Sequence, residues 1–130
     1  MAQILLIEPD KILAEIYRDA LESAGYKVSV CFSAQSAILS ADEIKPSLVI
    51  MELQLVGHSG IEFLYEFRSY IDWQNIPVIA LTTVPANEFA DSQRLLMDEL
   101  NIAMYLYKPQ TSLKKILRVT DELTPIPIKP

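Results

Sequence analysis

Four side chains with the chemistry to bind an ion follow short apolar runs of the sequence. Glu52 comes directly after LVIM, and Glu8 comes directly after QILLI. Thr82 ends the run IPVIALT, and Lys108 follows AMYLY. Two carboxylates, a hydroxyl and an ammonium group form a site for charge, and a charge that becomes buried has to be paired. We therefore expect Lys108 to be the partner of Glu52.

The apolar runs alternate with longer segments whose apolar residues recur at helical spacing. The runs that predict strands are 3–7, 27–31, 48–52, 76–82 and 103–107. The segments that predict helices are 11–24, 34–42, 61–71, 87–100 and 112–122. Strict alternation predicts a three-layer α/β/α sandwich around a five-stranded parallel sheet, with (βα)5 order. Function gathers at the carboxyl ends of such strands, where all four side chains lie.

Helix ends can be predicted from capping residues. Asp10 is an N-cap candidate for the first helix, Ser33 for the second, and Thr111 or Ser112 for the last. Asp10 has a second interpretation, in which its carboxylate leans toward the acidic pocket beside Glu8. We favour the cap.

Composition and charge exclude several classes of protein. The 130 residues predict one domain, which we place at residues 1–123, followed by a proline-rich tail at 124–130. The net charge is −6 and the basic residues are scattered, so we expect no direct contact with nucleic acid. No apolar run approaches the roughly 18 residues of a membrane span. We predict a cytoplasmic protein.

Cysteine and histidine chemistry has little support. Cys31 is the only cysteine and lies between apolar residues, so we interpret it as core. His58 is the only histidine, and we interpret it as a solvated loop residue. One residue of each type provides neither a transition-metal site nor a convincing nucleophile–base constellation.

The same residues carry a family resemblance. The chain resembles the receiver domain of bacterial two-component response regulators over about residues 3 to 122, through ILLIEPD, PSLVIMELQLVGHSG, IPVIALTT and YLYKP in this order. The resemblance implies a flavodoxin-like fold. It implies that an Asp at the position of Glu52 accepts a phosphoryl group from a histidine kinase, beside an acidic pair that holds Mg²⁺. It also implies a switch pair, Thr82 and Tyr105, and a family lysine, Lys108.

Two acidic positions depart from that family pattern. Glu52 stands in place of the acceptor Asp, and its carboxylate is displaced by about one C–C bond, roughly 1.5 Å. Pro9 stands in place of the second acid of the metal pair and has no side-chain oxygen. Because phosphoryl transfer depends on positioning, we expect neither efficient phosphorylation nor enzymatic activity. We also expect no cofactor; if Mg²⁺ binds, its ligands are Glu8 and Glu52.

The resemblance leaves several functions open. The favoured one is a protein-interaction module, independent of aspartyl phosphorylation, in which a pair between Glu52 and Lys108 either holds an active-like state or only keeps the sheet edge intact. Its partner would be a histidine kinase, an output domain or another signalling protein, bound through about residues 87–122, with homodimerisation as one mode. We favour a place for Tyr105 in that surface, on the outer rim of the last strand. The alternatives are a functional phosphoacceptor that uses Mg²⁺ and a structural pseudo-receiver that docks constitutively.

Overall fold

A single parallel sheet organises the part of the chain that the computed structural model describes, residues 2–55, 59–87 and 95–124. Five strands form it in the order β2-β1-β3-β4-β5. The strands are β1 (Gln3–Ile7), β2 (Lys27–Cys31), β3 (Leu48–Met51), β4 (Val78–Thr82) and β5 (Ile102–Tyr107). The α-helices of these residues are α1 (Lys11–Ser23), α2 (Ala34–Glu43), α3 (Gly60–Ser69) and α4 (Leu113–Leu123).

Helices cover both faces of the sheet, which makes the predicted three-layer α/β/α sandwich. Side chains of α1 and α4 pack on one face, where Tyr17, Leu21, Ile116 and Val119 are buried. Side chains of α2 and α3 pack on the other face, where Ala37, Phe63 and Phe67 are buried. Strands β3 and β4 are therefore buried throughout, as their unbroken apolar sequence requires.

Strand β5 alternates between the two faces after an irregularity in its pairing with β4. The register shifts between Val78 and Ile79, whose partners are Ile102 and Met104. Met104 then packs with the α1–α4 layer, and Tyr105 packs with the α2–α3 layer. This agrees with the predicted alternation of AMYLY and brings Tyr105 to the α2–α3 side of the sheet.

The predicted caps of α1, α2 and α4 are present. Asp10 accepts hydrogen bonds from the N–H groups of Ile12 and Leu13, Ser33 caps α2, and Ser112 rather than Thr111 caps α4. The third helix differs from its prediction. It begins at Gly60 behind the cap Ser59 and ends at Ser69, and a 3-10 turn at Ile71–Trp73 follows. The predicted helix at 87–100 is described only in part, as a π-helical turn at Leu95–Glu99.

Arg68 joins the end of α3 to the start of β5. Its half-buried guanidinium donates to the carbonyl oxygens of Trp73 at 2.7 Å, Leu100 at 2.9 Å and Asn101 at 3.0 Å. Asn101 has a left-handed backbone conformation, with φ 53°. Carbonyl groups in turns lack the partners that a helix or sheet provides, and here one cation supplies several of them.

Candidate functional site

The candidate site lies where the chain leaves β1, β3 and β5. The topology reverses between β1 and β3, and this reversal is the place where sheets of this kind bind their ligands. Glu8 follows β1, Glu52 follows β3, and Lys108 follows β5. The Lys108 ammonium lies 2.7 Å from Oε1 of Glu8 and 2.8 Å from Oε1 of Glu52. The predicted pair is thus part of a three-membered cluster.

Both carboxylates of this cluster are buried. Glu8 and Glu52 are each 3% exposed, and the Lys108 side chain is 10% exposed. A buried cation between two buried anions is stable only when hydrogen bonds satisfy the remaining polar atoms. The surroundings of Glu52 supply such bonds in unusual number.

The described donors around Glu52 saturate its carboxylate. Oε2 accepts from the Thr82 hydroxyl and from two backbone N–H groups, those of Leu53 at 2.7 Å and Gln54 at 3.1 Å. Oε1 accepts from Lys108 and from the Thr83 N–H at 3.2 Å. The longer Glu side chain therefore places its carboxylate among donors from the loops after both β3 and β4.

These contacts decide the ionisation of the pair. Burial alone would raise the pKa of Glu52, but the hydrogen bonds from Lys108 and Thr82 outweigh it and hold that pKa below its usual range. Burial alone would lower the pKa of Lys108, but the two carboxylates outweigh it and raise that pKa. Glu52 and Lys108 therefore form a charged pair at neutral pH.

The loop after β1 uses Asp10 as a cap. The Asp10 carboxylate binds the first N–H groups of α1, while its own N–H donates to Oε2 of Glu8 at 3.1 Å. Asp10 is exposed, whereas Glu8 is buried. Of the two interpretations of Asp10, the helix cap is the one that the structure shows.

The donor set fits a divalent cation poorly. Magnesium prefers six oxygen ligands in octahedral geometry. Here Oε1 of both Glu8 and Glu52 faces the Lys108 ammonium, and Pro9 between Glu8 and Asp10 has no side-chain oxygen. Over the described ranges, no three side chains of His, Cys, Asp or Glu are grouped as metal ligands. The Lys108 ammonium thus already lies against an oxygen of each of the two buried carboxylates.

A chain of hydrogen bonds leads from Glu52 to Tyr105. The Thr82 hydroxyl donates to Glu52 and accepts from the N–H of Val84 at 3.2 Å. The carbonyl oxygen of Val84 in turn accepts from the Tyr105 hydroxyl at 2.6 Å. The ring of Tyr105 is half-buried and packs against the α2–α3 side of the core. Its position is therefore more enclosed than the outer-rim placement expected from the sequence.

Several groups near the site were not predicted from the sequence. The backbone donors of Leu53, Gln54 and Thr83 carry no side-chain signal that a pattern could reveal. Tyr17 of α1 lies buried within the field of the cluster: burial raises its pKa, Lys108 opposes this, and Glu8 adds to it. Its place in a helical apolar stripe predicts only a core role. His58 lies outside the described residues.

A sequence profile described as "Response regulator receiver domain" matches residues 4–119 of the chain. The chain belongs to this family. Among curated relatives, it is 30% identical over 109 residues to the KDP operon transcriptional regulatory protein KdpE of Escherichia coli (strain K12), covering 84% of this chain and 45% of KdpE. The chain thus spans less than half the length of that relative.

Solved structures show the receiver fold. The chemotaxis protein CheY4 of Vibrio cholerae superposes with a TM-score of 0.83 at 20% identity, covering 95% of this chain and 98% of that one. A second match is the receiver domain of sensor histidine kinase PA1611 from Pseudomonas aeruginosa PAO1, a structure with magnesium coordinated in the active site cleft. It superposes with a TM-score of 0.78 at 24% identity, covering 94% of this chain and 96% of that one. Both show the five-stranded, flavodoxin-like receiver architecture.

None of the described helices combines the length and the apolar character needed to cross a bilayer.

Proposed function

We propose that this receiver domain is a protein-interaction module of two-component-type signalling that works without aspartyl phosphorylation. In this proposal Glu52 stands at the position of the phosphoacceptor Asp. The observation that carries the proposal is the saturation of the Glu52 carboxylate by Thr82, Lys108 and backbone N–H groups. These are donors of the type that would stabilise a bound phosphoryl group.

Phosphorylation of Glu52 is disfavoured by the same contacts. A nucleophilic oxygen must be free to attack in line, and a misplacement of about 1 Å can cost roughly a hundredfold in rate. Each Glu52 oxygen already accepts at least two hydrogen bonds, and one of the donors is the Lys108 ammonium. The domain is accordingly proposed not to be an enzyme and not to use Mg²⁺.

The hydrogen-bond chain supports a fixed switch rather than simple repair of the sheet edge. In the family, the hydroxyl and the aromatic of the switch move toward the phosphoryl group. Here Thr82 is already bound to Glu52, and Tyr105 is already tied to Val84 next to it. The built-in carboxylate would thereby hold the arrangement that phosphorylation produces elsewhere.

The partner is proposed to be a protein, either a histidine kinase, an output domain or another signalling protein. The proposed surface is about residues 87–122, of which the structure describes all but 88–94. Tyr105 and the exposed side of α4 belong to it. The net charge of −6 argues against direct contact between this domain and nucleic acid.

The proposal is tested by treatment with acetyl phosphate and Mg²⁺, followed by intact-protein mass spectrometry. We expect the wild type to gain no phosphoryl group, because its acceptor carboxylate is saturated. The double variant Pro9→Asp/Glu52→Asp restores the family's acidic pattern and is expected to gain one.

Three further variants make the outcome decisive. A phosphoryl group that appears on the wild type and is lost in Glu52→Gln would establish the phosphoacceptor function instead.

The fixed switch is measured by amide hydrogen exchange at Val84. Thr82→Val should speed that exchange, whereas Thr120→Val, which removes a buried hydroxyl bonded to the Ile116 carbonyl oxygen within α4, should leave it unchanged.

A further inference from the structure

A second candidate site lies between α2 and α3, and it shares no residue with the Glu52 cluster. The groove between the first turns of these helices has a volume of about 620 Å³. A second groove of about 610 Å³ lies between their C-terminal ends and is lined in part by the 3-10 turn at Ile71–Trp73. We call these two together the α2–α3 groove.

The floor of the groove is apolar core, and its rim is exposed apolar surface. Phe63 and Trp73 line it from below and are 2% and 6% exposed. Leu39 on α2 is 62% exposed, and Ile71 beyond α3 is 83% exposed. Single exposed apolar residues are ordinary, but several beside a concave apolar floor are typical of a surface that a partner covers.

The charges around the groove specify the partner. Glu66 lies at the first part, and Asp42 and Asp72 lie at the second, where Lys45 is the one basic side chain among the described residues that line either part. Acidic groups around an apolar floor favour a basic partner, since complementary charge speeds association and selects against acidic proteins. A second copy of this chain, with its net charge of −6, is disfavoured on the same ground.

The geometry points to a helix as the form of that partner. We propose that the α2–α3 groove binds a basic amphipathic helix of another protein, with its apolar side in the groove and Lys or Arg facing Glu66 and Asp72. Helix α2 has 10 residues and is therefore about 15 Å long, which matches a partner segment of about three turns. Apolar anchors of such a helix recur at i, i+4 and i+7.

This inference goes beyond the proposed function and does not depend on it. The groove shares no residue with the Glu52 cluster, so variants of the groove leave that cluster intact. Leu39 and Glu66 are exposed, so substitutions at these two positions should preserve the fold.

The test uses a fluorescein-labelled 14-residue peptide with Leu at positions 3, 7 and 10 and Lys at its polar positions, as a probe of stated chemistry. Binding is measured by fluorescence anisotropy, and the site is mapped by amide chemical shifts. We expect shifts confined to α2, α3 and Ile71–Trp73, and at least a tenfold loss of affinity in Leu39→Glu. Glu66→Lys should weaken binding of the Lys peptide. The same variant should strengthen binding of a peptide that carries Glu in place of each Lys.

Matched controls distinguish binding in the groove from nonspecific electrostatic binding of a basic peptide to an acidic protein. Ile12→Glu changes an exposed apolar residue of α1, and Glu122→Lys changes an exposed acid of α4; neither should affect binding. A composition-matched scrambled peptide that binds equally well, shifts that map elsewhere, or no binding at all would overturn the proposal. Amide chemical shifts at Leu39 that depend on protein concentration in the absence of peptide would overturn the proposal and indicate self-association instead.

Discussion

The Lys108 ammonium lies 2.8 Å from Oε1 of Glu52, a residue 56 positions earlier in the chain, and equally close to Glu8. One cation thus ties together the ends of β1, β3 and β5. Because the ends of strands are where a sheet would otherwise fray, loss of this contact should lower the stability of the domain.

Replacement of Lys108 by Met should destabilise the domain by about 3–5 kcal/mol, since it leaves Glu8 and Glu52 buried without a cation. The measurement is urea unfolding followed by circular dichroism at pH 7. Lys114→Met is the matched control, because Lys114 is exposed on α4, and it should change stability by less than about 0.5 kcal/mol. Equal effects of the two variants would show that the cluster contributes little.

Stability should fall in acid because of Glu52. The pKa of Glu52 is lowered in the folded state, so its contribution is present above the unfolded value of about 4.3 and is lost as pH falls through the lower folded value. Urea unfolding at a series of pH values between about 2 and 6 checks this. The slope should be flatter in Glu52→Gln, and an unchanged slope would assign the acid sensitivity to other groups.

Stability should also fall at alkaline pH, in this case because of Lys108. The pKa of Lys108 is raised by the two carboxylates, so its contribution is complete below the unfolded value of about 10.4 and is lost as pH rises through the folded value. Lys108→Met should therefore lose less stability than the wild type between about pH 10 and 12. Thermal melting across that range provides the comparison.

Arg68→Ala should destabilise the junction between α3 and β5. The substitution removes a charged donor from the carbonyl oxygens of Trp73, Leu100 and Asn101, and each charge-assisted bond is worth about 1.5–3 kcal/mol. We expect a total loss of about 2–4 kcal/mol after water replaces some of these bonds. Arg118→Ala, at a 66% exposed side chain, is the control and should be nearly neutral.

Gly60→Ala should disturb the candidate site through its backbone. A Cβ at Gly60 would lie 2.7 Å from the Cα of Leu53, whose N–H donates to Glu52, so the loop after β3 must move. We expect a loss of about 1–3 kcal/mol and faster amide exchange at Leu53. Gly25→Ala adds strain at φ +99° but contacts nothing within 4 Å, and it should leave Leu53 unaffected.

The alternation of apolar runs and amphipathic segments predicted the layers and the parallel sheet, because burial on both faces leaves a strong pattern in β3 and β4. It also predicted that Glu52 and Lys108 would meet, since both follow strands of one parallel sheet. The ends of the helices were predicted less well than their existence. Helix α3 begins at Gly60 because Ser59 caps it, whereas the predicted helix began at residue 61.

The detailed contacts of the site were beyond prediction from the sequence. The backbone donors around Glu52 depend on how the loops after β3 and β4 fold, and that depends on contacts such as Gly60 with Leu53. The sharing of Lys108 between two acids also needed three-dimensional distances. The tail predicted at 124–130 and the interpretation of His58 as solvated stay predictions, because residues 125–130 and His58 lie outside the described residues.

The negative charge that Glu52 presents to Thr82 is encoded in the gene and is not attached by a kinase. Hydrolysis cannot remove this charge, so under the proposed function no phosphatase could switch the domain off. The duration of the signal would then be set by synthesis and degradation of the protein, and its strength by the number of copies in the cell.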